Sequence, residues 1–296
     1  MPLIYVIVVN YNGKQDTVEC VESLLSANYK DIQIVIIDNA SVDDSVPYIK
    51  EQFDDVSNIE IIVNQNNIGF AAANNIGIHL AIQDKADYVL LLNNDTIVEA
   101  NFLDKIVVAM DKDKKCGIYS GKIKNYYSPE KIWYAGGKLV WWKGNGEHFG
   151  NEQKDGSKFD CVTKVTFVSG CYMLMKSDVI KIVGDLSEDY FLYFEDTDYC
   201  CRFIERGLDL VYFPESVIYH KISATTKRET VSTQYYLFRN RFIFIKNNLK
   251  NGKKIIAYIY TTTSVLKALI KKEVTAQIVK KVFNDFLSNK VGKYYN

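Results

Sequence analysis

The chain has 296 residues, 48% of them hydrophobic and 24% charged, with four prolines. Such a composition fits one large α/β domain or a domain with an appendage, and excludes a long disordered tract or a lone small binding module. Net charge is zero, yet residues 241–296 hold twelve Lys or Arg against Glu273 and Asp285, leaving the acid excess in the first 240 residues. An acidic body excludes nucleic acid as its partner, and a basic tail points to an anionic surface.

Up to about residue 115, short β-branched runs alternate with helical periodicity. Residues 3–9, 33–37, 59–63 and 88–92 read as strands buried on both faces of a parallel sheet. Helices are predicted at 16–27, with Val18, Val21, Leu24 and Leu25 on one stripe, at 44–53 and at 70–83. Alternating strand and helix implies right-handed crossovers and a doubly wound sheet, whose ligands sit beyond the carboxyl ends of the strands. All four ends are polar: Asn10-Tyr11-Asn12-Gly13, Asp38-Asn39-Ala40-Ser41, Asn64-Gln65-Asn66-Asn67 and Asn93-Asn94-Asp95. One such loop is ordinary turn chemistry; four on one rim read as a binding site.

From about 116 to 190 the pattern is irregular, with Trp133-Tyr134-Ala135-Gly136-Gly137 and Leu139-Val140-Trp141-Trp142. Such runs serve cores and turns, and they also wall sugar pockets. Strands are expected at 165–168 and 171–175. Glu195, Asp196 and Asp198 then open a helix that runs to Glu205 or Arg206 and is capped by Gly207. Strands follow at 208–213 and 217–220, and from about 232 the chain is helical and basic, with Gly252 as the predicted break between two helices. The six cysteines show no C-x-x-C or metal spacing and read as free thiols. The run 3–9 lacks a basic flank and is too short for a signal-peptide core, and no window of about 18 apolar residues exists. A cytoplasmic location is therefore expected, peripheral at the inner face of the cell membrane through the tail.

A rim of amides with one aspartate at the fourth strand end suits a nucleoside diphosphate carried with a divalent cation. Mg²⁺ or Mn²⁺ takes one or two carboxylates and fills its shell with phosphate oxygens and water, so Asp95 is the expected ligand. His220, after a strand, would add a nitrogen and favour Mn²⁺, although a lone histidine there is also commonly structural. Dinucleotide-binding and P-loop enzymes need glycine-rich turns after the first strand, whereas Asn10-Tyr11-Asn12-Gly13-Lys14 supplies one glycine.

The motifs Val-Val-Asn-Tyr-Asn, Ile-Asp-Asn-Ala-Ser, Asn-Ile-Gly-Phe-Ala-Ala-Ala-Asn-Asn, Leu-Leu-Asn-Asn-Asp-Thr, Ser-Gly-Cys-Tyr-Met-Leu and Phe-Glu-Asp-Thr-Asp-Tyr-Cys-Cys-Arg follow in that order. Over residues 3 to about 240 the chain thereby resembles the family 2 glycosyltransferases, and within them the rhamnosyltransferase-like branch of bacterial surface-polysaccharide assembly. The resemblance implies an α/β GT-A fold over 1–231, with a mixed, mainly parallel sheet flanked by helices, and a helical C-terminal region at 232–296. It also implies an inverting reaction, a divalent metal and a dTDP- or UDP-sugar donor, dTDP-rhamnose first. Residue by residue it would set Asn10 and Tyr11 at the base and ribose, Asp38 and Asn39 at the nucleobase edge, and Asn67, Gly69 and Asn74 along the nucleotide pocket. Asn93-Asn94-Asp95 stands where the family's D-x-D sits, with Asn93 near the ribose and Asp95 on the metal. Asn in place of the first carboxylate implies weaker metal binding without donor.

Asp196, paired with Glu195, matches the position of the family's catalytic base, which takes the acceptor hydroxyl's proton. Asp198 and Arg202, one helical turn apart, are expected to pair. Gln234 to Arg239 lacks the tryptophan and spacing of the processive synthases' Gln-x-x-Arg-Trp motif, so transfer of one or a few sugars is expected, to a glycan or lipid-linked acceptor. A homodimer is compatible with the tail. The alternative is a catalytically inactive nucleotide-sugar or glycan binding module on the same fold, against which the presence of both Asp95 and Asp196 argues.

Overall fold

The structure is a computed structural model that describes residues 1–222 and 231–294. Its first half alternates strand and helix: β1 (Ile4–Asn10), α1 (Lys14–Leu25), β2 (Ile32–Asp38), α2 (Ser45–Phe53), β3 (Ile59–Val63), α3 (Phe70–Gln83) and β4 (Tyr88–Asn93). These four strands run parallel in the order β4-β1-β2-β3. Register sets the rim, because Asn10 pairs with Asp38, Asp38 with Val63 and Val9 with Asn93. Apolar side chains on both faces of β1, β2 and β4 are buried between helix layers, as parallel strands require. β3, expected to be buried likewise, is the sheet's edge and is half-exposed.

The region from 116 to 190 is not irregular. After β5 (Thr96–Val98) and α4 (Asp104–Lys112) come β6 (Cys116–Asn125), β7 (Ser128–Tyr134), the hairpin strands β8 (Gly137–Val140) and β9 (Asn145–His148), β10 (Thr163–Val165), β11 (Tyr172–Lys176) and α5 (Ser177–Val183). β11 runs antiparallel between β4 and β6, while β6 pairs parallel with β12 (Asp209–His220), which carries β10 at its other side. β12 replaces the two separate strands expected at 208–213 and 217–220, and its register shifts between Phe213 and Val217. Gly121 of β6 admits that bulge: a Cβ there would stand 2.2 Å from the Ser216 carbonyl. The strand expected at 165–168 stops at Val165.

Beyond α6 (Glu195–Glu205), with Gly207 in the left-handed region after it at φ 73°, the described residues of the tail form the helices α7 (Val231–Asn248), α8 (Asn251–Ile270) and α9 (Ala276–Leu287). Gly252 lies inside the first turn of α8; the break is at Leu249 and Lys250. The tail helices pack against the segment just before α6, through Tyr190, Phe191, Tyr193 and Phe194. Among the described residues all six cysteines are free, and no helix is long and apolar enough to cross a membrane.

Candidate active site

At the carboxyl rim the chain leaves a cavity of about 470 Å³. Of the residues predicted for the site, Tyr11, Asn39, Asn67, Gly69, Asn93, Asn94, Asp95, Glu195, Asp196 and His220 line it. Asn10, Asp38 and Asn74 do not: each is buried and spent on the scaffold. Asn10 Nδ2 donates to Asp38 Oδ2 at 2.7 Å, and its Oδ1 accepts from Thr17 Oγ1 at 2.9 Å and the Gly13 amide at 3.1 Å. Asp38 also accepts from the Ser41 amide at 2.9 Å and hydroxyl at 2.7 Å. Asn74 Nδ2 turns back to the Phe70 carbonyl of its own helix at 2.9 Å. Buried amides and carboxylates so paired hold the loops that present their neighbours.

Asn39 links two of those loops, donating to Asn67 Oδ1 at 3.1 Å and the Gly69 carbonyl at 3.2 Å while accepting from Asn64 Nδ2 and the Ile68 amide. Gly69 needs to be glycine: its φ is 92°, and a Cβ would stand 2.5 Å from the Phe191 carbonyl.

The D-x-D-like turn and the acidic helix start come together through β11. The Asn93 amide donates to the Cys171 carbonyl at 3.0 Å, and the neighbouring Gly170 amide donates to Asp196 Oδ2 at 3.1 Å. Asp196 Oδ1 accepts from the Thr197 amide at 2.6 Å and hydroxyl at 3.1 Å. Burial raises the Asp196 carboxyl above its ordinary range against these hydrogen bonds. Glu195 is raised as well, to about 8, by burial first and then by Asp196, and its Oε2 is buried with no hydrogen-bond partner among the described residues.

Asp95 and His220 meet because β5 pairs β12, with Thr96 opposite His220. His220 Nε2 lies 3.0 Å from Asp95 Oδ1, and the Lys221 amide donates to the Asp95 carbonyl at 2.8 Å. Trp133 stands edge-on to His220 and to His148, with ring centroids 4.5 and 4.6 Å apart. Burial pushes the His148 imidazole down to about 4, so it is neutral at pH 7. Among the described residues no group of three His, Cys, Asp or Glu is placed to hold a metal ion by itself. One carboxylate and one imidazole would hold a divalent cation only with phosphate oxygens and water completing its shell, which is the usual arrangement for Mg²⁺ or Mn²⁺ on a diphosphate.

Sequence reasoning missed His148, Ser169, Gly170 and the wall at Phe191, Leu192 and Tyr193; of these only the Ser-Gly-Cys motif carried a signal. It also missed what holds that wall. Phe191, Tyr193 and Phe194 all have positive φ (51°, 66° and 78°), and Asn240 of α7 donates to the carbonyls of Tyr190, Leu192 and Tyr193 at 2.8, 2.8 and 2.9 Å. Arg239, fully buried, donates to Asn240 Oδ1, to the Gly292 carbonyl and to the Asp189 carbonyl. Asp198 forms the expected pair with Arg202 at 2.9 Å and takes further hydrogen bonds from Tyr190 and Asn248.

The family model of Glycosyl transferase family 2 matches residues 5–183. The chain is 23% identical over 275 residues to a dTDP-rhamnosyl transferase, RfbF, of Shigella flexneri, covering 88% of this chain and 87% of that one. It is 24% identical over 271 residues to a low-salt glycan biosynthesis hexosyltransferase, Agl10, of Haloferax volcanii, covering 88% and 80%. Among solved structures, the fold is similar to the Pyrobaculum calidifontis mannosyltransferase PcManGT in complex with GDP-Man and Mn²⁺ (TM-score 0.61, 15% identity, 96% of this chain and 79% of that one). It is equally similar to Staphylococcus aureus TarS 1-349 (TM-score 0.62, 15% identity, 97% and 80%). With the family model covering more than half of its length, the chain belongs to glycosyl transferase family 2 and is a glycosyltransferase of the GT-A fold.

Proposed function

We propose that the protein transfers a single hexose, rhamnose first among the candidates, from a nucleoside diphosphate donor to a hydroxyl of a glycan or lipid-linked acceptor, with inversion. The observation that carries this reading is that one cavity is lined both by Asp95 with His220 and by Glu195 with Asp196. Support for rhamnose comes from the Shigella relative's name, and support for a divalent metal from the Mn²⁺ complex of the archaeal fold neighbour.

Asp95, with His220 beside it, would hold a divalent cation, which supplies positive charge to the diphosphate as it leaves. The remaining work belongs to the chain's own groups. Tyr11, Asn39, Asn67 and Asn93 line the cavity where a nucleotide would lie, and Trp133 offers a ring to a sugar face. Asp196 takes the proton of the acceptor hydroxyl as that oxygen bonds to the anomeric carbon and the bond from that carbon to the diphosphate oxygen breaks. Attack opposite the leaving group inverts the configuration.

Turnover across dTDP-, UDP- and GDP-sugars with Mn²⁺, followed by titration calorimetry of the matching nucleoside diphosphate, tests the reading. Release of nucleoside diphosphate from one donor class is expected, with binding weakened by EDTA in the native protein and insensitive to EDTA in Asp95→Ala. Equal binding of native protein and Asp95→Ala in Mn²⁺ would remove Asp95 from the metal, and ligand binding without turnover of any donor would favour the inactive binding module.

A further inference from the structure

α8 is apolar on two faces. Ala257, Thr261, Val265 and Ala268 are its packed face, against α7 and α9. At about 100° per residue, Ile255, Ile259, Leu266 and Ile270 fall on a second stripe roughly opposite the first, and these four face water, Ile259 at 61% and Ile270 at 79% exposure. Core packing leaves this stripe unexplained, because the helix has already buried its other face. Lys267, and beyond it Lys253 and Lys271, lie along one side of the stripe and are exposed. Beside it lie Trp141 and Trp142, 39% and 40% exposed, on the turn between β8 and β9. Trp142 stands edge-on to Tyr260 of α8 with centroids 5.0 Å apart, and Lys253 lies 5.6 Å over the Trp141 ring.

We propose that this face, α8 together with the Trp141-Trp142 turn, docks the protein on an anionic lipid bilayer. Aliphatic side chains at the acyl boundary, tryptophan and tyrosine at headgroup level and flanking lysines are the composition of a helix lying in a lipid interface. A second copy of the chain is the competing occupant, and charge decides against it. Residues 241–296 carry twelve bases and two acids, so two such faces would repel, whereas an anionic leaflet supplies the opposite sign. The acidic excess of the first 240 residues orients the molecule with this face toward the leaflet. The hairpin that carries the tryptophans runs back to His148 in the cavity wall through strands of four residues. The docked surface therefore lies roughly 13 Å from the cavity, at about 3.3 Å per residue, close enough to receive a substrate held in the membrane. Docking rests on this surface alone: a protein that ignored vesicles would still be a glycosyltransferase.

Flotation of the full chain with vesicles of phosphatidylcholine, with and without phosphatidylglycerol, tests the proposal. Binding to the anionic vesicles is expected, falling steeply at high salt as the charges are screened. Ile259→Glu with Leu266→Glu, both at exposed positions, should reduce it at least tenfold without lowering the melting temperature, and each of Lys253, Lys267 and Lys271 changed to Gln should cost about fivefold. No flotation with anionic vesicles, equal flotation of the double Glu variant, or equal binding to neutral vesicles overturns the proposal. So does a dimer in analytical ultracentrifugation that the same Glu substitutions split, because it would give the face to a second copy.

Discussion

Glu195 and Asp196 sit side by side in a buried first helical turn, where two full negative charges would repel each other and lack water. Hydrogen bonds decide which of them ionises. Asp196 accepts three, each favouring its charged form, while Glu195 Oε2 has none among the described residues. Burial and the neighbouring Asp196 hold the Glu195 carboxyl well above its ordinary range, which favours its protonated form and leaves Asp196 the better-stabilised charge. Asp196→Asn should lower turnover about 10²- to 10⁴-fold while donor affinity by calorimetry stays within a factor of a few; near-normal turnover would move the base to another carboxylate. Stability provides a separate check. A carboxyl whose folded pKa is raised binds its proton more tightly in the folded state, so its contribution is fully present below the unfolded pKa and lost as pH rises toward the folded value. Glu195→Gln should consequently match the native protein in thermal stability at pH 4 and exceed it increasingly toward pH 8, by at most about 1.4 kcal/mol per pH unit. A gap that is flat or of opposite sign across that range would mean that Glu195 is ionised in the folded protein.

Residues 190–194 are the element on which the site depends most and which holds itself least. Its three left-handed non-glycine residues cost energy that the surrounding structure must offset. Asn240 supplies that hold from α7, some fifty residues away, and α3 adds Asn75, which donates to the Leu186 carbonyl and Glu188 and accepts from the Leu186 amide. Asn240→Ala should destabilise the fold by about 2–4 kcal/mol in urea unfolding, since the amide's two N–H groups, shared among three carbonyls, and the acceptor for Arg239 are lost at roughly 1 kcal/mol per hydrogen bond. Asn240→Asp should be worse than Ala, because a carboxylate would face three carbonyl oxygens. Finding Asp as stable as Asn would show that the donated hydrogen bonds are not what holds the loop. Gly69→Ala strikes the same element from the opposite side, pressing a methyl on the Phe191 carbonyl, and should lower both stability and turnover.

Taken as a whole, the molecule divides its charge and its chemistry. The acid excess lies in the first 240 residues, which also carry the amides and carboxylates of the sheet's carboxyl rim, whereas residues 241–296 hold twelve bases against two acids. The tail is nonetheless packed on the site it follows, since Tyr235, Tyr236 and Phe242 of α7 are buried together with Val265 of α8 and Ile278 and Val282 of α9, beside Phe191 and Leu192. Ending the chain after Lys250 should therefore expose this cluster, lower the melting temperature by several degrees and reduce turnover even with a soluble acceptor. A truncated protein as stable and active as the full chain would make α8 and α9 an independent appendage.

The parallel half was legible because burial on both faces demands apolar runs, so β1, β2 and β4 stand out and their polar ends mark the rim. Ile59–Val63 reads the same way, yet it lies at the sheet edge, and only the order of strands in space decides that. The long strand β6 was invisible because its two glycines and two lysines break the pattern. Gly121 yields to the bulge of β12, and Lys122 is buried by Asp155 and Asp160, more than thirty residues away. Local chemistry also singled out Asp95, Glu195 and Asp196, and the fold brings all three to the wall of one cavity. Which polar groups face the cavity did not follow: Asn10 and Asp38 look like ligands in the sequence, yet in the fold they lie behind the cavity wall, hydrogen-bonded to Thr17, Gly13, Ser41 and each other. Sequence determines which polar groups must find partners; only the tertiary structure decides whether those partners come from the protein or are left to a ligand.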